Sequence, residues 1–185
     1  MGQVKINMGC GWRDFGKDWI HIDGGDYSHL DYKSITDLVF EDSSVDLIYA
    51  SHVLEYFDRN DVLEVLSEWN RVLKVGGILR LAVPDFEAMV GLYTKGEIKL
   101  EQILGPLYGK MSMGSDYIYH KTTYDEASLK GILEKSGFSE IIRYNWKEKE
   151  HSNFDDHSQA YIPHMDKENG TLISLNVECT KYGSW

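Results

Sequence analysis

Gly9-Cys10-Gly11 follows a short apolar run, Val4–Met8, and an aspartate, Asp23, ends the next such run, Trp19–Ile22. Glycines after a first parallel strand let the backbone approach a ligand with no Cβ in the way. A carboxylate at the tip of the neighbouring strand can accept hydrogen bonds from two ribose hydroxyls. The combination reads as a nucleoside-binding crevice at the carboxyl edge of a sheet; a plain two-glycine turn and a solvated turn carboxylate are the simpler readings. It is not a dinucleotide fingerprint. The third glycine of G-x-G-x-x-G is absent, Trp12-Arg13-Asp14-Phe15 follows instead, and Asp23 comes twelve positions after Gly11, where that fingerprint has about twenty. The first crossover helix is then very short or missing. A pyrophosphate cofactor loses the helix N-terminus that would hold it.

Three further residues could move a proton: His52 just after the third apolar run, His120 between Tyr119 and Tyr124, and Asp85 after Pro84. Their simpler readings are a strand-end packer, a loop histidine bonded to backbone, and a helix N-cap. His151, Asp155, Asp156, His157 and His164 match no zinc spacing, so no metal site is expected. They fall in an irregular loop or lid over 146–170, where Phe154 and Tyr161 could stack on a sugar. Trp12, Tyr108, Tyr117 and Tyr119 are expected to pack, and Met111 and Met113 to fill gaps.

The elements that must position these groups alternate. Val4–Met8, Trp19–Ile22, Val45–Ala50 and Ile78–Val83 are near-continuous apolar runs, the pattern of strands covered on both faces. Helices are predicted over Asp61–Leu73 with a capping box Asp61/Glu64 and Gly76-Gly77 past its end, and over 85–93 with Asp85 as N-cap. A further helix is predicted between Thr123-x-x-Glu126 and Gly137. Ser139–Tyr144 is a strand, and Leu172–Thr180 alternates as an antiparallel one. The order predicts an α/β fold: a single domain over 1–185 with an open, mostly parallel sheet and an antiparallel C-terminal strand.

The chain has 185 residues, with 19 Lys+Arg against 30 Asp+Glu and a net charge of −11. An acidic surface repels phosphate backbones, so no nucleic-acid partner is expected. Cys10 and Cys179 are expected as free thiols of a reducing, cytoplasmic compartment. The N-terminus lacks an apolar signal region, and the apolar runs are too short to span a bilayer. The C-terminal strand, if it lies at a sheet edge, could pair with a second copy.

The wider pattern carries a resemblance. Asn7-Met8-Gly9-Cys10-Gly11, Trp19–Asp23, Asp37-Leu38, Phe40–Ile48, Ser51-His52-Val53-Leu54-Glu55 and Arg71–Gly77 followed by Leu79–Asp85 occur in this order. Over roughly residues 4–94 the chain resembles the class I S-adenosylmethionine-dependent methyltransferases. More narrowly it looks like the small (type 11-like) methyltransferases found with bacterial surface-polysaccharide genes, which His120-Lys121-x-x-Tyr124-Asp125, Ser136-Gly137-Phe138 and Ile173–Glu178 also resemble.

The resemblance implies a Rossmann-like sheet of seven strands, the last antiparallel, and S-adenosylmethionine as cofactor. Asn7 stands where the family commonly has an acidic residue, in the cofactor loop. Gly9, Cys10 and Gly11 would line the methionine and ribose part, and Asp23 would hold the ribose. Asp37 would accept from the adenine amino group, Leu38 would offer its backbone and an apolar wall, and Ser51 and His52 would border the sulfonium. Arg13, Tyr56 and Val75 replace the usual third glycine, histidine and proline. The implied reaction is methyl transfer to oxygen or nitrogen of a small-molecule or glycan acceptor, with His52, His120 and Asp85 as base candidates. The rivals are a non-catalytic binder of S-adenosylmethionine or S-adenosylhomocysteine, and a nicotinamide-dependent sugar oxidoreductase.

Overall fold

The computed structural model describes residues 2–183. β1 (Lys5–Met8) lies between β2 (Ile20–Ile22) and β3 (Val45–Ser51), parallel to both. α1 (Val62–Val72) returns the chain to β4 (Leu73–Pro84), parallel to β3. α2 (Phe86–Thr94), α3 (Leu100–Tyr108) and a hairpin of β5 (Met111–Met113) and β6 (Asp116–Ile118) follow. α4 (Glu126–Lys135) leads to β7 (Phe138–Arg143); β8 (Tyr161–Ile162) and β9 (Thr171–Leu172) form a short pair. β10 (Ser174–Lys181) enters antiparallel between β4 and β7, completing the order β2-β1-β3-β4-β10-β7.

The sheet's two faces are covered by different physics. Register puts Ile6, Met8, Ile48, Ala50, Leu79, Leu81, Leu175, Val177 and Cys179 on one face. Val62, Val65, Leu66, Trp69 and Val72 of α1 and Leu129 and Leu133 of α4 join them in the main apolar core. The stripe on α1 follows from their three-and-four spacing.

The other face carries Leu47, Tyr49, Ile78, Arg80, Asn176 and Glu178. No helix stands between β1 and β2 to cover it. Phe15, Trp19 and Phe154 pack over Leu47 and Tyr49 instead. The rest is covered by residues 146–160 through polar pairs. Tyr49 Oη donates to Asp156 (2.6 Å), Asn176 Nδ2 donates to the Ser158 carbonyl (2.8 Å), and Arg80 donates to Glu178 (2.7 Å) and Glu150 (2.9 Å). A face with buried polar groups needs directed partners rather than an apolar helix stripe. That is why this layer is built of short 3₁₀ turns, at Trp146–Glu148 and His157–Gln159. Where the sequence suggests a loop or lid, His151, Asp156, Ser158 and Gln159 are buried in a packed layer.

Other expectations are corrected. Among the described residues the sheet has six strands, not seven. The outermost parallel strand is reduced to a single bridge, Ile22 to Tyr32, and residues 33–44 follow without a helix or strand. Asp61 makes no capping bond; its own amide and that of Val62 reach the Asp58 carbonyl, so the turn at 58–61 starts α1. α4 is capped by Asp125 and Ser128, reciprocally, rather than by Thr123/Glu126. β10 lies inside the sheet, so the C-terminal strand offers no free edge to a second copy. Among the described residues no helix is long and apolar enough to cross a membrane.

Candidate active site

The carboxyl ends of β1, β2 and β3 converge on one edge. After β1 the chain turns at Gly9 and Gly11, both with positive φ (64° and 58°). A Cβ on Gly9 would run into Val53, so this position needs glycine twice over. Space beside Gly11 is open except for Arg13. At the tip of β2, Asp23 Oδ2 accepts from the Gly11 amide (2.8 Å) and Oδ1 from the Gly25 amide (2.7 Å). The carboxylate braces the turns after β1 and β2 and keeps acceptor capacity on each oxygen.

The loop after Gly11 is fixed without a helix. His21 Nε2 accepts from the Phe15 amide (2.8 Å), and Arg13 donates to the Asp155 carbonyl (2.8 Å), tying the loop to the covering layer. Asn7 is buried on the same face as Tyr49 and reaches only the Arg13 carbonyl, at 3.5 Å. Burial and the nearby Asp23 push the Cys10 thiol up to about 12, so it stays protonated.

Asp37 is exposed and lines a cavity of about 110 Å³ with Ile22, Tyr32 and Leu38. The Leu38 backbone is already committed: its amide donates to Glu68 (2.9 Å) and its carbonyl accepts from Arg71 (3.0 Å). Charged residues of α1 thus clamp the segment that has no strand of its own. The Leu38 side chain is buried at the margin of the main core, and its N–H is not free for a ligand. Ser51 ends β3 with a buried hydroxyl that has no partner.

A cavity of about 460 Å³ adjoins this edge, a size that suits a small-molecule acceptor. His52 and His120 both line it, with Tyr56, Met111, His157 and Tyr161. His52 has a left-handed backbone (φ 54°), which aims its ring back beneath β10. There Nε2 lies 3.2 Å from Ser174 Oγ, and the ring packs on His157 at 5.1 Å. The sequence reading missed Glu55, which is fully buried between the two rings. Its Oε1 is 3.3 Å from His52 Nδ1 and 3.7 Å from His120 Nε2. The available signal was the i,i+3 spacing from His52, which puts both on one side of a turn.

Asp85, the third base candidate, does other work. It caps α2 by accepting from the Ala88 amide (3.1 Å) and pairs with Arg143 (3.3 Å), and it does not line the cavity. Asp85→Ala is expected to cost about 1–2 kcal/mol of stability, a lost cap plus a lost partner, in a urea unfolding curve. Nucleoside affinity in the same preparation should be unchanged. Trp12, Tyr108, Tyr117 and Tyr119, expected to pack, lie exposed. Met113 approaches Gly24, so the β5–β6 hairpin reaches across to the crevice. Among the described residues no three His, Cys, Asp or Glu side chains are gathered as a metal site.

This Rossmann-like architecture is shared with S-adenosylmethionine-dependent methyltransferases of solved structure. The pattern of the methyltransferase domain matches residues 20–81. The chain is 30% identical over 125 residues to a demethylmenaquinone methyltransferase from Staphylococcus haemolyticus, covering 61% of this chain and 48% of that protein. It spans about half the length of that curated relative. A SAM-dependent methyltransferase from Methanosarcina mazei superposes with a TM-score of 0.62 at 16% identity, covering 100% of this chain and 95% of the other. A 1,6-didemethyltoxoflavin-N1-methyltransferase from Burkholderia thailandensis, with bound 1,6-didemethyltoxoflavin and S-adenosylhomocysteine, superposes with a TM-score of 0.56 at 11% identity, covering 97% of this chain and 71% of the other. These structural likenesses speak to the fold.

Proposed function

We propose that the chain transfers a methyl group from S-adenosylmethionine to oxygen or nitrogen of a small acceptor. The observation that carries this reading is the placement of the Gly9–Gly11 turn and the Asp23 carboxylate on the sheet edge that also carries the 460 Å³ cavity, the edge where such folds bind ligands. The residues fit the cofactor. Gly11 leaves open space, Asp23 keeps lone pairs for ribose hydroxyls, and the unpartnered Ser51 hydroxyl faces no protein group. Asp37 and the Leu38 side chain are the candidates for the base end; Gly9, Cys10 and the Asn7 strand end shape the floor.

When bound, the cofactor supplies an already electrophilic methyl on its sulfonium. What remains for the protein is to orient an acceptor in the cavity, exclude water and accept a proton. His52 and His120 line that cavity, and Tyr56 and Tyr161 give it aromatic surface. A nicotinamide cofactor fits less well, because no helix N-terminus follows the glycine turn. The finer reading, a saccharide-like acceptor in surface-polysaccharide synthesis, rests on the resemblance of His120–Asp125 and Ile173–Glu178 to that group.

The test is transfer of a labelled methyl from S-adenosylmethionine to a panel of nucleotide sugars, simple glycosides, phenols and amines. Label in any acceptor, lost in Asp23→Ala, supports the reading. Tight nucleoside binding with no transfer across the panel would favour the non-catalytic binder.

A further inference from the structure

Glu55 is a carboxyl buried at a cost. Its side chain has no solvent exposure, and neither oxygen has a hydrogen-bond partner. Burying such a carboxyl without donors costs stability, and the packing around it could have used an apolar residue. The Tyr124 hydroxyl beside it is also buried and unpartnered. A polar group kept under these conditions calls for a role, and its neighbours supply one.

His120 Nδ1 lies 3.0 Å from the Pro106 carbonyl, which can only accept. Nδ1 therefore carries the ring proton, and Nε2 of the neutral ring presents a lone pair. That lone pair lies 3.7 Å from Glu55 Oε1, at the wall of the 460 Å³ cavity. His52 is less free: Nε2 meets Ser174 and Nδ1 meets Glu55.

We propose that His120 Nε2 is the base that takes the proton of an acceptor hydroxyl, and that Glu55 is the positioning residue that holds and compensates it. The inference rests on the methyl-transfer reading and narrows its acceptor to a hydroxyl rather than an amine. The acceptor O–H bond breaks and its proton goes to Nε2. The new oxygen–methyl bond forms as the sulfur–methyl bond breaks, and that electron pair stays on sulfur. The imidazolium so formed lies against the Glu55 carboxylate.

Glu55 and the two histidines titrate in each other's presence. Burial pushes the Glu55 carboxyl up to about 8 and pushes His52 and His120 below the usual imidazole range. At neutral pH the proton sits on Glu55, and it leaves as pH rises through about 8, uncovering the base-competent form. The other groups facing the pair are Tyr56, Tyr124, His157 and, across His52, Arg13. Neither tyrosine ionises in this range, because burial and Glu55 raise both.

The test has two readouts. The first is histidine-ring NMR of the protein without cofactor. The expected wild-type result is an Nδ1-protonated His120 whose Nε2 resonance steps near pH 8. Glu55→Gln, nearly isosteric, should remove that step. Gln does not titrate, so this variant is spared the loss of stability that wild type suffers as pH rises from the ordinary carboxyl range to about 8, and it should fold at least as well. The second readout is the rate of labelled-methyl transfer to methyl mannoside, GDP-mannose and catechol, against cyclohexylamine and benzylamine.

Hydroxyl probes should be methylated with kcat rising to a plateau above pH 8. Glu55→Gln should lower that plateau at least about tenfold and abolish the pH 8 step. Glu55→Asp should restore part of it, and His120→Gln should lose about a hundredfold or more. Absence of the NMR step in wild type, its persistence in Glu55→Gln, or methylation of amines only would overturn the proposal. If no probe is methylated, the NMR step decides alone. Failure of S-adenosylhomocysteine to bind would fell the methyl-transfer reading while leaving the NMR result readable.

Discussion

Asp23→Ala is expected to weaken S-adenosylhomocysteine binding about a hundredfold with little loss of fold. Two effects add. The carboxylate is the candidate acceptor for two ribose hydroxyls, and charge-assisted hydrogen bonds contribute about 1.5–3 kcal/mol each. The same group fixes the Gly11 and Gly25 amides at 2.8 and 2.7 Å, so its loss also frees both turns. A net loss of about 3 kcal/mol corresponds to roughly a hundredfold in Kd. Asp23→Asn keeps one acceptor oxygen and should fall between. Calorimetric titration of both variants measures this directly; an unchanged Kd in Asp23→Ala would remove Asp23 from the site.

Trp69→Ala should show the largest stability loss. Trp69 is fully buried at the centre of the main core, and its indole N–H donates to the Ile35 carbonyl at 2.8 Å. Truncating a buried tryptophan costs about 3–5 kcal/mol, a large share of the roughly 5–15 kcal/mol available to a domain. The expected result is a urea midpoint shifted strongly down with an unchanged slope. Trp69→Phe keeps most of the apolar contact but strands the Ile35 carbonyl, and should cost about 1–2 kcal/mol. Since Ile35 sits just before Asp37 and Leu38, the milder variant should also weaken nucleoside binding. Equal stability of Trp69→Phe and wild type would show that the hydrogen bond contributes nothing.

The apolar runs of β1, β3 and β4 and the stripe of α1 are readable from residue order alone, because burial on two faces and on one helical side leaves distinct periodicities. The glycine turn and its aspartate were readable for the same reason: Gly9, Gly11 and Asp23 stand at the ends of those runs. The opposite face of the sheet was not. Its cover is assembled from polar pairs far apart in the chain, Tyr49 with Asp156 and Arg80 with Glu150 and Glu178. Nothing local distinguishes those residues from solvated charges. Glu55 was hidden likewise, since a glutamate beside a helix normally faces water. The Leu38 amide was misjudged because Glu68 and Arg71 sit thirty and thirty-three residues away on α1. The missing outer strand follows from the same clamp: side chains of α1 hold the segment that a ladder would otherwise hold.

The most direct test of the cofactor assignment is calorimetric titration of S-adenosylmethionine and S-adenosylhomocysteine into the purified protein, with NAD as control. Micromolar, one-to-one binding of both sulfur nucleosides and none of NAD is the predicted result. NAD binding in their place, or no binding of either nucleoside, would contradict it and withdraw every role assigned to the glycine turn and Asp23.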